Sequence, residues 1–245
     1  MMRALAVTTF LIVTAWGGAL RPAPNGSVYQ IVFAGDSLTY SSPFGASSPS
    51  SYPYVFCHSK TTCSYVNTGA SGSTSSNVVS RYASDITANN PRYLIIMMGT
   101  NDAAYGTGQA AVNLLVANYT TVLNNCASAG IIPVVILIPP NTYASTERST
   151  FYDNANAAIV TLLGSYPDYV LVDPRPSMGQ FRPGGAANNL WDIKPAYDGD
   201  GTHFTAAGYS ALATVVWETL NASRYVTGGI SMGGAVHFSG AGIIK

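Results

Sequence analysis

A serine stands directly after an apolar run near the start of the chain. Gly35-Asp36-Ser37-Leu38 follows residues 28–34, a pattern typical of a buried strand that leads into a turn. In an open α/β sheet, ligands bind outside the carboxyl ends of the strands, so a hydroxyl at this place could attack a substrate. The same residues could instead only cap the next helix, with Asp36 or Ser37 accepting a backbone hydrogen bond. The tetrapeptide alone leaves both interpretations open.

The base that such a serine needs is offered by Asp200-Gly201-Thr202-His203. Serine is a weak nucleophile at neutral pH until a base removes its proton, and histidine is the usual base. A carboxylate three residues earlier can accept the Nδ1 proton and hold the imidazole in the required tautomer. The chain has three histidines, and neither His58 nor His237 has a carboxylate within a few residues. His203 is therefore the predicted base and Asp200 its partner; alternatively, His203 only begins the following helix.

Two glycine-containing segments after apolar runs offer hydrogen-bond donors for an oxyanion. Residues 68–74 follow the run 64–67, and their glycines let a backbone N–H approach a substrate closely. Gly99-Thr100-Asn101-Asp102 follows the run 92–98, and the side-chain amide of Asn101 can donate to an oxyanion. Taken separately, the first segment is equally well a flexible turn and the second the start of a helix.

Together and in this order, the four blocks resemble the SGNH, or GDSL, hydrolase family. The resemblance implies that Ser37 is the nucleophile, His203 the base and Asp200 its partner in a Ser-His-Asp triad. It implies a flavodoxin-like fold. The oxyanion hole that it implies has three donors: the Ser37 backbone N–H, the Gly72 backbone N–H and the Asn101 side chain.

Short apolar runs alternate with helical patterns along most of the chain. Five runs predict strands: residues 28–34, 64–67, 92–98, 131–138 and 169–173. Four segments with apolar residues at three- and four-residue spacing predict helices: Ser75–Ala88, Gln109–Ala129, Thr146–Leu163 and Thr205–Leu220. This alternation predicts a doubly wound parallel sheet. We expect an α/β, flavodoxin-like, three-layer α/β/α fold with a five-stranded parallel sheet, in which residues 25–224 form one SGNH-type hydrolase domain.

The composition limits the classes of partner. Eleven basic and eleven acidic side chains give a net charge of zero, and no basic cluster is long enough to indicate nucleic acid or an anionic membrane. We therefore expect a neutral small-molecule or carbohydrate ester as the substrate. Neither the cysteines nor the histidines have zinc spacing, and a triad needs no metal, so we predict no cofactor and no metal site.

The cysteines and the polar composition bear on the compartment. Cys57 and Cys63 flank a short loop and could form a disulfide, which would leave Cys126 free. A disulfide would indicate an oxidising compartment, although the odd cysteine count weakens that indication. With so few charges, the surface must consist largely of Ser, Thr, Asn, Gly and Tyr, which favours a secreted or extracellular protein.

Both ends of the chain carry segments outside the predicted domain. Residues 1–24 contain Arg3 followed by the apolar run 4–16, so they are either a secretory signal peptide or a strand-forming N-terminal arm. The run is too short to span a bilayer. Residues 225–245 form a Gly-rich C-terminal extension, which is either a docking arm or a disordered tail. Docking arms would make the protein a component of an extracellular or viral particle.

We expect a serine esterase that hydrolyses a small acyl ester, with an O-acetyl group on a carbohydrate as the first candidate, through an acyl-enzyme. Trp191 lies in the loop 174–199 just before the predicted histidine, where it could stack on a sugar ring or line an acyl cleft. The alternatives are an acyltransferase and a structural or binding protein on the same fold.

Overall fold

A computed structural model describes residues 31–61, 63–182 and 190–226. Its main sheet consists of β1 (Ile31–Gly35), β2 (Tyr65–Asn67), β3 (Tyr93–Met97), β4 (Ile132–Ile136) and β5 (Val170–Val172). The strand order is β2-β1-β3-β4-β5, and every pairing is parallel. The predicted five-stranded parallel sheet is confirmed. Residues 28–30 of the first predicted strand lie outside the described residues.

Helices cover both faces of this sheet. In chain order they are α1 (Ser37–Tyr40), α2 (Tyr52–Val55), α3 (Ser75–Ser80), α4 (Tyr82–Asp85), α5 (Gln109–Ala129), α6 (Thr146–Leu163), α7 (Arg175–Met178) and α8 (Ala206–Val226). The predicted bounds of α5 and α6 are confirmed, and Gly130 ends α5 in the left-handed conformation that is common at a C-cap. Helix α8 continues past the predicted end at Leu220 to Val226.

The predicted helix Ser75–Ala88 is interrupted at Arg81. This residue has φ −96° and ψ 4°, which departs from helical geometry and separates α3 from α4. The Ser80 hydroxyl donates to the Asn77 carbonyl at 2.8 Å, and the Ser84 hydroxyl donates to the Arg81 carbonyl at 3.0 Å. Serine side chains that bond to the local backbone in this way weaken or bend a helix. The prediction of one continuous helix was therefore wrong.

Alternate residues of the central strands pack against different helices. On β1, Val32 and Ala34 belong to the apolar cluster that includes α5 and α6, whereas Ile31 and Phe33 belong to the cluster that includes α8. All four are buried. Burial of one large apolar side chain stabilises a fold by roughly 1.5–3 kcal/mol, so a strand covered on both faces is strongly held. This is the predicted three-layer α/β/α arrangement.

Two short strands pair outside the main sheet. β6 (Gly179–Phe181) and β7 (Trp191–Ile193) are antiparallel, with Gly179 opposite Ile193. The strand pair β6–β7 lies between β5 and α8 along the chain, so it directly precedes the predicted histidine. Sequence periodicity did not predict it, because strands of three residues are too short to show an alternation.

The cysteine pair that the sequence suggested is oxidised. Cys57 and Cys63 form a disulfide, and Cys126 is a buried free thiol. Cys57 belongs to a π-helical turn, Phe56–Lys60, that directly follows α2. The disulfide therefore closes the loop that leads from this turn towards β2.

The predicted terminal segments fall largely outside the described part of the chain. None of residues 1–24 is described, and of the extension 225–245 only the end of α8 is. Within residues 31–61, 63–182 and 190–226, no helix combines the length and the apolar character that crossing a bilayer requires.

Candidate active site

Parallel strands send the predicted site residues to one edge of the sheet. The loop after β2 carries Gly72, the loop after β1 carries Ser37, and the loop after β3 carries Asn101. Because β1 lies between β2 and β3, the turn with Ser37 lies between the loops that carry the other two predicted oxyanion donors, Gly72 and Asn101. The strand order reverses direction at β1, and ligands in open α/β sheets bind at such a reversal, outside the carboxyl ends of the strands.

The turn after β1 both caps a helix and presents the serine. Asp36 is the N-cap of α1, and its Oδ1 accepts a hydrogen bond of 2.9 Å from the Leu38 N–H. Ser37, the first residue of α1, keeps its hydroxyl for another partner. The two interpretations of this tetrapeptide are therefore compatible, because the carboxylate caps the helix and leaves the hydroxyl free to react.

The structure brings the three predicted triad residues into contact. His203 Nε2 lies 2.9 Å from Ser37 Oγ, and His203 Nδ1 lies 2.8 Å from Asp200 Oδ2. With a proton on Nδ1, the Nε2 lone pair can accept the serine proton, and Asp200 stabilises the imidazolium that forms. The arrangement is thus able to activate a serine nucleophile. The catalytic roles of the three residues stay a prediction.

Asp200 is held ionised by hydrogen bonds from its own turn. Desolvation opposes its ionisation, but hydrogen bonds from the His203 N–H, the His203 ring and the Thr202 N–H outweigh that effect and hold the pKa of Asp200 below its ordinary value. The two backbone N–H groups donate to Asp200 Oδ1 at 2.7 Å and 3.0 Å. The remaining oxygen is therefore available as an anionic acceptor for the imidazole.

The histidine turn (residues 200–203) is held by the loop that follows β4. The backbone N–H groups of Thr142 and Tyr143 both donate to the Gly201 carbonyl, at 2.8 Å and 3.1 Å. Asn141 Nδ2 donates to Thr202 Oγ1 at 3.2 Å. Gly201 has φ +84°, which L side chains rarely adopt, so the turn depends on glycine at this position.

Arg182 connects the same β4 loop (residues 141–144) to the strand pair β6–β7. Its guanidinium donates to three loop carbonyls, those of Asn141, Thr142 and Ala144, at 3.0–3.4 Å. It also donates to Asp192 Oδ1 on β7 at 2.8 Å. A planar guanidinium offers five donors in a fixed arrangement, so one side chain can order a whole loop. This Arg182 clamp positions the loop that in turn holds the histidine turn.

The two predicted oxyanion segments are joined to each other. Asn101 Nδ2 donates to the Ser73 carbonyl at 3.0 Å, and an amide NH₂ has a second hydrogen that can point to a substrate. Gly72 has φ +76°, and nothing lies within 4 Å of the position that a Cβ would occupy, so the backbone there borders open space. Both features suit an oxyanion hole, and the roles of Gly72 and Asn101 stay predictions.

Asp102 strengthens the link between these segments. This buried carboxylate accepts hydrogen bonds from the backbone N–H of Ser75, at 2.9 Å, and from the Ser75 hydroxyl. Asn118 of α5 donates to the same hydroxyl at 2.7 Å. The start of α3 is thereby tied to the loop after β3, which fixes the distance between Gly72 and Asn101.

Asp36 is a buried acid beside Ser37, the predicted nucleophile. Its side chain is fully buried, and among the described residues its Oδ2 has no hydrogen-bond partner. Desolvation raises the pKa of Asp36 to about 7, because it outweighs the hydrogen bond from the Leu38 N–H. Asp36 therefore keeps its proton in the folded protein at pH values where an exposed aspartate has lost it.

The raised pKa of Asp36 in the folded protein predicts that the free energy of unfolding depends on pH. Between pH about 4 and about 7 the folded state binds a proton at Asp36 that the unfolded state has released, so the free energy of unfolding falls as the pH rises. Each unit of pKa difference corresponds to about 1.4 kcal/mol. Urea unfolding of Asp36→Asn across this range should show a shallower fall than the wild type. Asp168→Asn, at an exposed position, should keep the wild-type slope, and equal slopes in all three proteins would contradict the prediction.

Trp191, the predicted substrate contact, lies on β7. Its ring centroid is 4.2 Å from that of Phe181 on β6, and its Nε1 is buried. Trp191 also lines a cavity of about 20 Å³ together with Asn141 and Tyr152. Its backbone carbonyl accepts a hydrogen bond of 3.2 Å from the Asn141 N–H. These contacts attach Trp191 to the β4 loop, and its role in substrate binding stays a prediction.

The β4 loop is the part of the site that the sequence analysis missed. It follows the apolar run 131–138, so its place at the carboxyl edge of the sheet could have been found by the argument used for Ser37 and Asn101. Its contacts to the histidine turn are mostly made by backbone groups, which a pattern of side chains does not predict.

In the part of the chain that the structure describes, no three His, Cys, Asp or Glu side chains are grouped so that they could hold a metal ion.

Residues 33–211 match the GDSL-like lipase/acylhydrolase family, and the match covers most of the chain. The protein belongs to this family and is an acylhydrolase of the serine hydrolase type. The resemblance carried by the four sequence blocks is thereby confirmed. The family also implies an ester as the substrate.

Solved structures of other proteins are similar to this chain in fold. A GDSL-like lipase from Bacteroides thetaiotaomicron gives a TM-score of 0.63 at 20% identity, over 83% of this chain and 93% of that chain. The acetylxylan esterase Axe2 from Geobacillus stearothermophilus gives a TM-score of 0.61 at 19% identity, over 80% of this chain and 95% of that chain. At such identities the likeness shows the fold alone. A comparison with curated proteins finds no match.

Proposed function

We propose that the protein is a serine esterase that removes a small acyl group, an acetyl group in the first place, from a carbohydrate. The contact of 2.9 Å between Ser37 Oγ and His203 Nε2, with Asp200 behind the imidazole, carries this proposal. A serine, a base and an orienting carboxylate in this geometry form the unit that acyl transfer through an acyl-enzyme requires.

The reaction follows from these contacts. Ser37 Oγ bonds to the ester carbonyl carbon while its proton passes to His203 Nε2, and the carbonyl electrons move onto the oxygen. The Ser37 N–H, the Gly72 N–H and the Asn101 amide donate to that oxyanion. When the oxyanion collapses, the bond to the alcohol breaks and the alcohol takes the proton from His203. Water then attacks the acyl carbon while His203 takes its proton; the bond between Ser37 Oγ and the acyl carbon breaks, Ser37 takes the proton from His203, and the acid is released.

Hydroxyl side chains in the loops that carry Ser37 and Gly72 support a short acyl group and a sugar. The Ser42 N–H donates to the Ser37 carbonyl at 3.0 Å, and Ser42 Oγ lies 3.3 Å from Ser71 Oγ, directly before Gly72. Hydroxyls can bond to a sugar, whereas a long acyl chain gains little from contact with them. The absence of net charge supports a neutral substrate. That Axe2, of the same fold, is an acetylxylan esterase also supports the carbohydrate class.

The proposal includes a site of action outside the cytosol. The Cys57–Cys63 disulfide supports it, because disulfides form and persist mainly in oxidising compartments. The chain also has few charged side chains, 9% of all residues. Of the two interpretations of the N-terminal apolar run, the signal peptide agrees with this proposal.

Substrate preference tests the proposed activity. We expect the purified protein to hydrolyse p-nitrophenyl acetate faster than the butyrate and octanoate esters, and to release acetate from acetylated xylo-oligosaccharides. The physical reason is that the Ser42 and Ser71 hydroxyls, in the loops that carry Ser37 and Gly72, offer little apolar contact to a longer chain. Release of acetate measured in parallel for Ser37→Ala provides the control. A higher kcat/KM for octanoate than for acetate would contradict the small-acyl proposal.

The same assay separates a hydrolase from an acyltransferase. When an alcohol or a free sugar is added as a competing acceptor, a hydrolase continues to release the free acid. Predominant formation of a new ester with the acceptor would identify a transferase instead.

A further inference from the structure

Tyr143 presents an aromatic ring directly beside the histidine turn. A Cβ placed on Gly201 would lie 2.5 Å from Tyr143 Cγ and 2.7 Å from both Cδ atoms, so the ring packs against the glycine backbone. Nevertheless, Tyr143 is 76% exposed. One part of the ring therefore contacts the turn that carries His203, while most of it is open to solvent.

This exposed ring is held in place through its backbone. The Tyr143 N–H donates to the Gly201 carbonyl at 3.1 Å, and the neighbouring Thr142 hydroxyl donates to Asp198 Oδ2 at 2.7 Å. On either side of Tyr143, the Arg182 clamp binds the carbonyls of Thr142 and Ala144. A ligand that contacts the ring does not have to order this loop first, which lowers the entropic cost of binding.

Tyr143 lies where it could contact the part of a substrate that is next to the scissile ester at Ser37. Its loop follows β4, which is two strands from β1 in the sheet. Neighbouring strands are about 4.8 Å apart, so the β4 and β1 loops begin about 10 Å from each other. This is within the reach of one or two sugar rings.

The chemistry of this surface points to a carbohydrate. The face of an aromatic ring is electronegative, so it attracts the weakly positive C–H groups on the flat side of a pyranose. The phenol hydroxyl can donate to and accept from the sugar hydroxyls.

We propose that Tyr143 is a stacking platform for a sugar ring of the substrate, adjacent to the acetylated sugar. This inference rests on the proposed carbohydrate esterase function and adds a subsite to it. It assigns the recognition of the sugar to the β4 loop, whereas Ser37, Gly72 and Asn101 act on the acetyl group.

The test compares two substrates that differ in the sugar. p-Nitrophenyl acetate carries the acetyl group without a sugar, and an acetylated xylo-oligosaccharide carries both. In Tyr143→Ala and Tyr143→Leu, we expect the ratio of kcat/KM for the oligosaccharide to kcat/KM for p-nitrophenyl acetate to fall about tenfold, mainly through KM. Tyr143→Phe retains the aromatic face and should keep the ratio within about threefold. Tyr105→Ala removes a tyrosine that is 85% exposed on the β3 loop, and should leave the ratio unchanged.

Each outcome decides the proposal. An unchanged ratio in Tyr143→Ala overturns the platform. If kcat/KM falls equally for both substrates, so that the ratio is unchanged, Tyr143 only supports the histidine turn. A selective loss with p-nitrophenyl octanoate would assign the ring to an acyl chain and also overturn it. If the wild type cleaves p-nitrophenyl acetate but no acetylated sugar, the proposed substrate class fails together with the platform; cleavage of the sugar that is insensitive to Tyr143 overturns the platform alone.

Discussion

Ser37→Ala and His203→Ala are each expected to lower kcat by roughly 10⁴-fold or more, because either change removes the group that attacks the ester or the base that activates it. Asp200→Asn should retain more activity than either, since the carboxylate orients and stabilises the imidazole without reacting itself. The measurement is the steady-state hydrolysis of p-nitrophenyl acetate by the three purified variants.

A double variant and two matched control variants test this prediction further. Because the serine and the histidine act as one unit, Ser37→Ala/His203→Ala should be about as inactive as either single variant. Ser84→Ala and His58→Ala change exposed residues of the same types and should keep the wild-type rate. Full esterase activity in Ser37→Ala would rule out this serine as the nucleophile.

Asn101→Ala is expected to lower kcat by about 10²-fold to 10³-fold while KM changes little, because its hydrogen bond to the oxyanion strengthens in the transition state. Asn101→Asp should lower kcat further. A carboxylate in this place removes the amide donor and sets a negative charge beside the developing oxyanion. The measurement is the separate determination of kcat and KM on p-nitrophenyl acetate.

A structural effect of Asn101 needs its own control, because its side chain also bonds to the Ser73 carbonyl. Asn118→Ala removes hydrogen bonds to the Ser75 and Ser76 hydroxyls at the start of α3 without removing an oxyanion donor. If loosening of this region explained the loss, Asn118→Ala would lose a similar share of kcat. Unchanged kcat with a large rise in KM for Asn101→Ala would instead mean that Asn101 holds the substrate in its ground state.

Much of the fold could be predicted because the central strands are buried on both faces. Ile31 to Ala34 and Leu94 to Met97 are apolar without interruption, and this pattern is typical of a parallel sheet between two helical layers. Once the sheet is predicted, its geometry sends the residues after each strand to one edge. Ser37 and Asn101 could therefore be located from the sequence.

Other features depend on contacts that have no sequence signature. Arg182 binds backbone carbonyls, which every residue possesses, so nothing in the side chains of the β4 loop indicates their partner. The break at Arg81 results from serine hydroxyls that bond to nearby carbonyls, and an apolar spacing pattern does not register them. The exposure of Tyr143 depends in the same way on the conformation of its loop.

The Arg182 clamp has a consequence for engineering. The strand pair β6–β7 lies outside the main sheet, so it could be chosen as a unit for exchange between homologous enzymes to change their substrate preference. However, Arg182 on this pair bonds to Asn141, Thr142 and Ala144, and the same loop bonds to the histidine turn. A chimera that replaces the strand pair alone would therefore remove a support of the turn that carries His203, the predicted base. The smallest transferable module is therefore the pair together with residues 141–144, although the two are distant in sequence.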